Sequence, residues 1–333
     1  MPDRGAISPD GSHFYDGDDW GWMPLWLTAD QVVALASAEF RVAPTSATLL
    51  SEGLLNQTWR LHCSNQDRVL RVGRTERTLE HVRYEDQVVA AWSKVSQIVA
   101  PESDHHPVVD GHVITVYPFC AGIPGTLIDP VLRAEQLAPV MAQLHQISLG
   151  LDVPQRLGSH SIDDRPVVER WQPVRAAVIE RFGTRPEILA NIAVVDGAVA
   201  ELDDQVAIWH RDHPDAPRAV IHADLNARNQ LYRNDQLVGI IDTDECRIEP
   251  LIAEVAGLAY SAPEVSPHAV WQQYRAAGGP LADEDEAMLL TFARLGALGE
   301  MQWFTDETGR ATHLADRQLR NLAIDLGGSP TRG

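Results

Sequence analysis

The stretch AVIHADLNARNQLYRNDQLVGIIDTDECR, residues 219–247, combines short apolar runs, typical of buried strands, with many polar side chains. Its last two apolar runs are separated by residues 233–236, and this pattern predicts two strands joined by a tight turn. Asp224 and Asn229 precede the first of these strands, and Asp242 follows the second. The hairpin therefore predicts that these three polar side chains come together beside a buried sheet.

The spacing of these residues favours a magnesium site used in phosphoryl transfer. Carboxylates that lie close together repel one another unless a cation lies between them, and Mg²⁺ prefers oxygen ligands. The pattern His222-x-Asp224-x-x-x-x-Asn229, followed by Asp242 after an apolar strand, matches kinase-type chemistry. There, the first aspartate acts on the hydroxyl proton of the acceptor, and the asparagine and second aspartate hold the metal. The alternative is a polar turn with side-chain caps.

These residues resemble the aminoglycoside phosphotransferase and choline kinase-like family, which is related to the protein kinases. VIHADLNARNQLY and LVGIIDTDE are similar to its catalytic loop and metal-binding strand end, and EPLIAEVAGLAY resembles the helix that follows. The family usually has glycine where Ala223 stands and aspartate where Glu254 stands. Neither difference removes a catalytic group.

The resemblance implies an α+β fold of the two-lobed protein-kinase type, with a small β-rich N-lobe and a larger, mainly helical C-lobe. It implies Asp224 as the catalytic base and His222 as the structural brace of the loop. Asn229 and Asp242 are the implied magnesium ligands, and ATP is the implied phosphoryl donor.

The length of 333 residues suits two lobes better than one. Thr28 and Gln31 predict a capping box at the start of the first helix. Helical patterns dominate the chain after the N-lobe, apart from the catalytic hairpin. The expected divisions are a partly disordered N-terminal arm at 1–27, a nucleotide-binding N-lobe at 28–119, and a C-lobe with the catalytic loop and substrate site at 120–333.

The resemblance also implies where the nucleotide binds. A flexible loop over the phosphates is expected at residues 51–58, with Gly53 and Asn56 nearest to the nucleotide. The apolar strand HVITVYPF leads into the hinge, whose backbone groups would pair with adenine. Tyr117 and Phe119 are therefore expected beside the nucleotide.

Arginine must replace the lysine that usually binds phosphate in a kinase-like N-lobe. Lys94 is the only lysine of the chain, and it falls in a predicted helix. Arg71 occupies the expected strand position, and arginine can bind phosphate through two donors. We expect Glu85, or alternatively Glu80, to pair with Arg71 and orient it. Asp244 is expected either to support the metal site or to cap the next turn.

The charge balance of 27 basic and 47 acidic residues gives a net charge of −20. Such a surface disfavours nucleic acid and anionic membranes, and it favours a cationic acceptor unless the acids serve only solubility. No apolar run reaches the length of a membrane span and no signal peptide is recognisable, which predicts a cytoplasmic protein. We expect a monomer or a homodimer. Three cysteines are too few for a disulfide framework.

The acceptor is the open question. An aminoglycoside or amino sugar fits the acidic surface, whereas homoserine, choline or a neutral sugar fits the motif equally well. A nucleotide-binding pseudokinase scaffold is a further alternative, but a pseudoenzyme has no evident need for all three of Asp224, Asn229 and Asp242.

An acidic pocket for a cationic acceptor is expected among the late helices. Glu300 is the leading candidate because it lies in an apolar helical segment beside Trp303, where an unpaired carboxylate would be costly. An ion pair with Arg294 is the alternative. The other candidate acids are residues 283–286, Asp306 and Glu307.

Overall fold

A computed structural model describes residues 27–50, 56–302, 304 and 315–327. The predicted N-terminal arm, apart from Leu27, lies outside the described residues. Gly53, Trp303, Asp306 and Glu307 also lie outside them.

Helices and short strands alternate in the first part of the chain, and helices predominate later. The described strands are β1 Pro44–Leu50, β2 Gln57–Cys63, β3 Arg68–Val72, β4 Val108–Val109, β5 His112–Pro118, β6 Ile123–Pro124, β7 Arg218–Ile221, β8 Gln230–Arg233, β9 Gln236–Ile240 and β10 Arg247–Pro250. The described helices are α1 Ala29–Phe40, α2 Leu79–Trp92, α3 Pro130–Ser148, α4 Val167–Phe182, α5 Pro186–Asp212, α6 Leu251–Ala259, α7 Pro267–Ala276, α8 Leu289–Gln302 and α9 Ala315–Gly327.

The chain divides into two compact units, and the first contains two separate segments. They are the described residues up to Gly125 and the segment Ala227–Cys246. The second segment belongs here because β6 pairs with β8 of the predicted hairpin. The unit therefore holds Asn229 and Asp242 as well as the predicted N-lobe residues.

An antiparallel sheet with strand order β1-β2-β3-β5-β4 forms the main part of the first unit. Alternate side chains of β2, such as Trp59 and Leu61, are buried, and they pack with α1 and with residues of β3 and β5. The capping box predicted for α1 is confirmed, since the Thr28 hydroxyl accepts from the Gln31 N–H and the Gln31 side chain accepts from the Thr28 N–H. This sheet fixes the position of Arg71 on β3.

The predicted catalytic hairpin is also present, as β8 and β9. Its turn residues Asn234 and Asp235 have φ angles of 51° and 58°, which short polar residues tolerate better than most. The Ile241 N–H donates to the Asn229 carbonyl at 3.0 Å and continues the pairing beyond β9. Asn229 therefore lies opposite the residue that precedes Asp242.

The second unit comprises Thr126–Asn226 and the described residues from Arg247 onward. It contains helices α3 to α9 and an antiparallel ribbon of β7 and β10, in which Arg247 is opposite Ile221. The small β-rich first unit and the mainly helical second unit agree with the predicted α+β class. None of the helices in the described ranges is both long and apolar enough to span a membrane.

Candidate active site

Arg71 is held by two carboxylates that follow the catalytic hairpin. Its Nη1 lies 2.6 Å from Oδ1 of Asp244, and its Nη2 lies 2.7 Å from Oδ1 of Asp242. Nη2 also donates to the second oxygen of Asp244, so this pair is bidentate. Burial opposes the charge of the guanidinium, but Asp242 and Asp244 raise the pKa of Arg71 above its ordinary value.

Glu85 of α2 is paired with Arg77, which the sequence analysis did not single out. Nε of Arg77 lies 3.3 and 3.2 Å from the two oxygens of Glu85, and Nη2 lies 2.5 Å from Oε2. This corrects the expectation that Glu85 serves Arg71 directly. Arg77 reaches Glu85 because it lies just before α2, and its Nη1 lies against Gly73, where a Cβ would be 3.4 Å away. The only feature of the sequence that indicates this pair is the position of Arg77 immediately before Thr78, the N-cap of α2.

Asp244 links these two ion pairs. Nε of Arg77 lies 3.3 Å from Oδ1 of Asp244, the oxygen that also accepts from Nη1 of Arg71. Asp244 and both arginines are buried. Burial and the negative charge of Asp244 raise the pKa of Glu85 to about 7, although Arg77 acts in the opposite direction.

Asn56, expected beside the nucleotide, contacts the same aspartate. Its Nδ2 donates to Oδ2 of Asp244 at 3.3 Å, and its Oδ1 accepts from the Arg74 N–H at 3.2 Å. Arg74 also pairs with Glu245 at 3.2 Å. The short 3-10 helix Thr243–Glu245 therefore binds side chains from several parts of the first unit.

Asn229 and Asp242 provide oxygen atoms suited to a hard cation. Asn229 is buried, whereas the side chain of Asp242 is 37% exposed and its backbone is left-handed, with a φ of 66°. In the described ranges, no group of three or more His, Cys, Asp or Glu side chains is arranged for a metal. An amide oxygen and an accessible carboxylate fit Mg²⁺, which keeps several water or substrate ligands.

The loop that carries the candidate base Asp224 lies in the second unit and is held by several hydrogen bonds. Ala223 N–H donates to Oε1 of Glu254 at 2.9 Å, and Asp224 N–H donates to Nδ1 of the buried His222 at 3.3 Å. Asn226 donates to Oδ1 of Asp224 at 2.6 Å. Ala223 has a φ of 64°, which explains why glycine suits this position in the family.

A buried polar chain continues from Glu254 to helices α3 and α7. Oε2 of Glu254 lies 3.0 Å from Nε2 of His145, and Nδ1 of His145 lies 2.8 Å from the Tyr274 hydroxyl. Burial favours the neutral carboxyl, but hydrogen bonding to His145 and the charges of His145 and His222 lower the pKa of Glu254. These contacts give His145 a structural role between Glu254 and α7.

The predicted hinge donors are partly engaged within the first unit. Phe119 N–H donates to the Asp67 carbonyl at 3.0 Å, so adenine could use this donor only if that bond opened. The Arg60 guanidinium lies 4.0 Å from the centre of the Phe119 ring. Tyr117 lies opposite Val69 in the ladder between β3 and β5. The assignment of Tyr117 and Phe119 to the nucleotide stays a prediction.

Glu300 does not have the environment expected from its sequence. It is on the exposed side of α8, and its Oε2 lies 3.4 Å from Nε2 of Gln318. Partial burial of the carboxylate and the charge of Asp325 raise its pKa. Arg294, the proposed alternative partner, lies 4.0 Å from Glu201 instead. Glu300 follows Arg294 by six positions, which leaves the two side chains about 120° apart around a helix.

Among the other candidate acids of the second unit, Asp285 caps the turn in which it lies. Of residues 283–286, only Asp285 is buried, and it accepts from the Ala282 N–H at 2.8 Å. Its Oδ1 also lies 3.4 Å from His213. Asp285 is thus engaged in holding its own turn.

The chain belongs to the phosphotransferase enzyme family, whose sequence model matches residues 46–290. This match includes all the candidate catalytic and metal residues and confirms the resemblance found in the sequence. Homoserine kinase of Rhodospirillum rubrum is 33% identical over 113 residues, which is 34% of this chain and 30% of that protein. The alignment therefore spans about a third of the curated relative.

Solved structures of similar fold include several antibiotic phosphotransferases. A spectinomycin phosphotransferase in complex with ADP and spectinomycin has a TM-score of 0.61 and 13% identity, covering 91% of this chain and 99% of that one. The macrolide 2′-phosphotransferase of Brachybacterium faecium has a TM-score of 0.58 and 17% identity, covering 90% and 98%. A GDP complex of an aminoglycoside 2′-phosphotransferase mutant has a TM-score of 0.63 and 15% identity, covering 90% and 98%. These similarities show the protein-kinase-like fold.

Proposed function

We propose that this protein transfers the γ-phosphoryl group of ATP to a hydroxyl group of a small molecule. The observation that carries the proposal is the family match over residues 46–290, a range that includes Asp224, Asn229 and Asp242. The ADP complex of a protein with the same fold supports an adenine nucleotide. The GDP complex of another makes GTP the alternative donor to be tested.

Each retained residue has a role in this reaction. Asp224 would accept or orient the proton of the acceptor hydroxyl. Asn229 and Asp242 would hold Mg²⁺, which neutralises charge on the phosphates when bound. Arg71 would supply two donors to the phosphates from a fixed position on β3. Because the transition state of phosphoryl transfer needs little covalent help, positioning and charge account for most of the catalysis.

We propose a hydroxylated amine as the acceptor class. Homoserine, the substrate in the name of the curated relative, carries both an amine and a hydroxyl group. Aminoglycosides, in the name of a structural neighbour, are amino sugars. The net charge of −20 also favours a cationic group over an anionic one at long range.

One feature of the second unit favours an acceptor that also carries a carboxylate, such as a hydroxy amino acid. Arg170 donates to the Ile162 carbonyl, and among the described residues it has no carboxylate within ion-pair distance. Ile162 N–H donates to Glu249 at 2.7 Å, and Arg247 binds the other oxygen of Glu249 at 2.7 Å. Burial lowers the pKa of Arg170, and the charges of Arg165 and Arg247 add to this effect, whereas the charge of Glu249 opposes it. A ligand carboxylate would stabilise this partly desolvated guanidinium.

The loop that carries Asp224 begins beside Arg247. Arg247 is opposite Ile221, and Asp224 follows Ile221 by three residues. Three residues of extended chain span at most about 11 Å. We therefore propose that the acceptor binds on this side of the second unit, with its hydroxyl near Asp224 and its carboxylate toward the arginines.

The test is a phosphotransfer assay with ATP or GTP, Mg²⁺, and a panel of acceptors. The panel contains aminoglycosides, choline, homoserine and other hydroxy amino acids, and neutral sugars. Transfer to amines supports the proposal, and preference for a neutral sugar over every amine would contradict the proposed acceptor class. Tight nucleotide binding without transfer to any acceptor would favour the pseudokinase alternative.

A further inference from the structure

Asp244 contacts side chains from three places in the first unit. It forms a bidentate pair with Arg71 of β3, an ion pair with Arg77 before α2, and a hydrogen bond with Asn56 before β2. Its side chain is 10% exposed, compared with 37% for Asp242. Asp244 is therefore placed to hold neighbouring groups, whereas Asp242 remains accessible.

Arg77 has no exposed surface with which to bind a ligand of its own. Its side chain is 1% exposed, and its Nη1 has no hydrogen-bond partner among the described residues. Burying a cationic group with one unsatisfied donor is costly, and buried ion pairs add little net stability. Because the buried ion pairs of Arg77 add little stability but fix the geometry of its partners, they indicate that Arg77 positions neighbouring side chains.

We propose that Asp244 is a positioning residue that connects Glu85 of α2 to the phosphate-binding Arg71 through Arg77. Glu85 anchors Arg77, Arg77 binds Asp244, and Asp244 fixes the direction of the Arg71 guanidinium. This connection replaces the direct pair between Glu85 and Arg71 that was expected from the sequence. This inference rests on the proposed function, because Arg71 is taken to bind the nucleotide phosphates.

The geometry also explains how Arg71 can serve two partners. Both of its terminal nitrogens bind Asp244, and Nη2 is shared with Asp242. If Asp242 engages a cation, Arg71 can leave it for a phosphate oxygen while its bond through Nη1 to Asp244 persists. Asp244 thus holds Arg71 in place while the second partner of Arg71 changes from Asp242 to a phosphate oxygen.

The first test compares Asp244→Asn with Glu102→Gln. Glu102 pairs with Arg68 at 2.8 Å on the same strand as Arg71, but that pair is partly exposed and outside the site. We expect Asp244→Asn to raise KM for the nucleotide roughly tenfold to hundredfold, the size expected from losing a charge-assisted hydrogen bond. KM for the acceptor should stay unchanged, and Glu102→Gln should match the wild type. A fall in kcat with unchanged KM for the nucleotide would indicate a structural role only and overturn the proposal.

The Kd of a non-hydrolysable ATP analogue separates this inference from the proposed function. If the wild type does not bind the analogue, the proposed function fails. If the wild type binds it and soluble Asp244→Asn binds it equally well, only the positioning role of Asp244 fails. Weaker binding by Asp244→Asn, with Glu102→Gln unaffected, supports the inference even where the acceptor is unidentified.

Glu85→Gln provides a second variant at the far end of the connection, in case Asp244→Asn does not fold. It should also raise KM for the nucleotide, but less than Asp244→Asn, because Asp244 still holds both arginines. In the double variant, the two effects on kcat/KM for the nucleotide should be less than multiplicative, since both changes loosen the same guanidinium. Multiplicative effects, or no effect of Glu85→Gln on KM, would contradict a connection through Arg77.

Discussion

Nε2 of His145 lies 3.0 Å from Oε2 of Glu254, and both side chains are buried. The other oxygen of Glu254 accepts from the Ala223 N–H, next to the proposed base Asp224. A single carboxylate thus ties helix α3 to the catalytic loop. The longer side chain at this position still reaches the loop backbone, so the departure from the usual aspartate preserves the contact.

Glu254→Gln should destabilise the protein at neutral pH by about 1.5–3 kcal/mol, the size expected from weakening hydrogen bonds to a charged group. The pKa of Glu254 is lower in the folded chain than its ordinary value of 4.5. Its carboxylate therefore stabilises the fold above that pH, and the contribution is lost as the pH falls through the lower, folded-state pKa. Urea unfolding at neutral and acidic pH measures this change. Glu264→Gln, at an exposed position, is the control, and an equal pH dependence in both variants would contradict the assignment.

Asp224→Asn should lower kcat by roughly 10²–10⁴-fold, because general-base assistance at the acceptor hydroxyl is lost. Binding of the nucleotide should change little, since the proton belongs to the acceptor. Steady-state kinetics and nucleotide titration measure the two effects separately. Asp215→Asn, at an exposed position of the same unit, controls for the loss of one negative charge. Near-normal turnover by Asp224→Asn would exclude the proposed base.

Asp242→Asn should shift nucleotide binding to much higher Mg²⁺ concentration. Losing a direct carboxylate ligand should cost more than the roughly 10- to 100-fold typical of losing an outer partner. Titrating Mg²⁺ at fixed nucleotide, with a chelator-treated wild type as reference, measures the shift. The same Mg²⁺ dependence in variant and wild type would show that the metal is held elsewhere.

Arg71→Lys should retain part of the activity with a raised KM for the nucleotide, whereas Arg71→Ala should be much less active. Lysine keeps the charge but cannot bind Asp244 through two nitrogens as the guanidinium does. Initial rates over a range of nucleotide concentrations distinguish the variants. Equal kinetics for Arg71→Ala and the wild type would place the phosphate-binding cation elsewhere.

Local patterns in the sequence predicted the parts of the fold that depend on neighbouring residues. The capping box at Thr28, the turn at Asn234-Asp235 and the placing of Asp242 after an apolar strand are all local features. Each follows from backbone preferences or strand alternation over a few residues. The last two placed Asn229 and Asp242 at the ends of the hairpin.

Side-chain partners across long separations in the chain were harder to predict. Glu85 has four arginines within the 14 residues before it, and only the path of the loop before α2 selects Arg77. The link from Arg77 to Asp244 spans 167 positions and leaves no local signal. For Glu300, apolar neighbours suggested burial, but the rotation of α8 puts this residue on its exposed side.

Arg170→Gln and Glu300→Gln together should distinguish the two kinds of acceptor recognition. If a carboxylate of the acceptor binds near Arg170, Arg170→Gln should raise KM for hydroxy amino acids by roughly tenfold or more, and leave KM for amino alcohols without a carboxylate unchanged. If Glu300 binds an ammonium group, Glu300→Gln should raise KM for every amine, although its exposure limits the effect to a few-fold.

The measurement is KM for homoserine and for an amino alcohol of similar size, with KM for the nucleotide as the internal control. Arg165→Gln removes a neighbouring exposed charge and should have a smaller effect than Arg170→Gln, because Arg165 is more strongly screened by solvent. Equal effects of Arg170→Gln on both acceptors would argue against a carboxylate contact. They would indicate instead that Arg170 acts through its bond to Ile162, by holding the loop that carries Asp163 and Ser161.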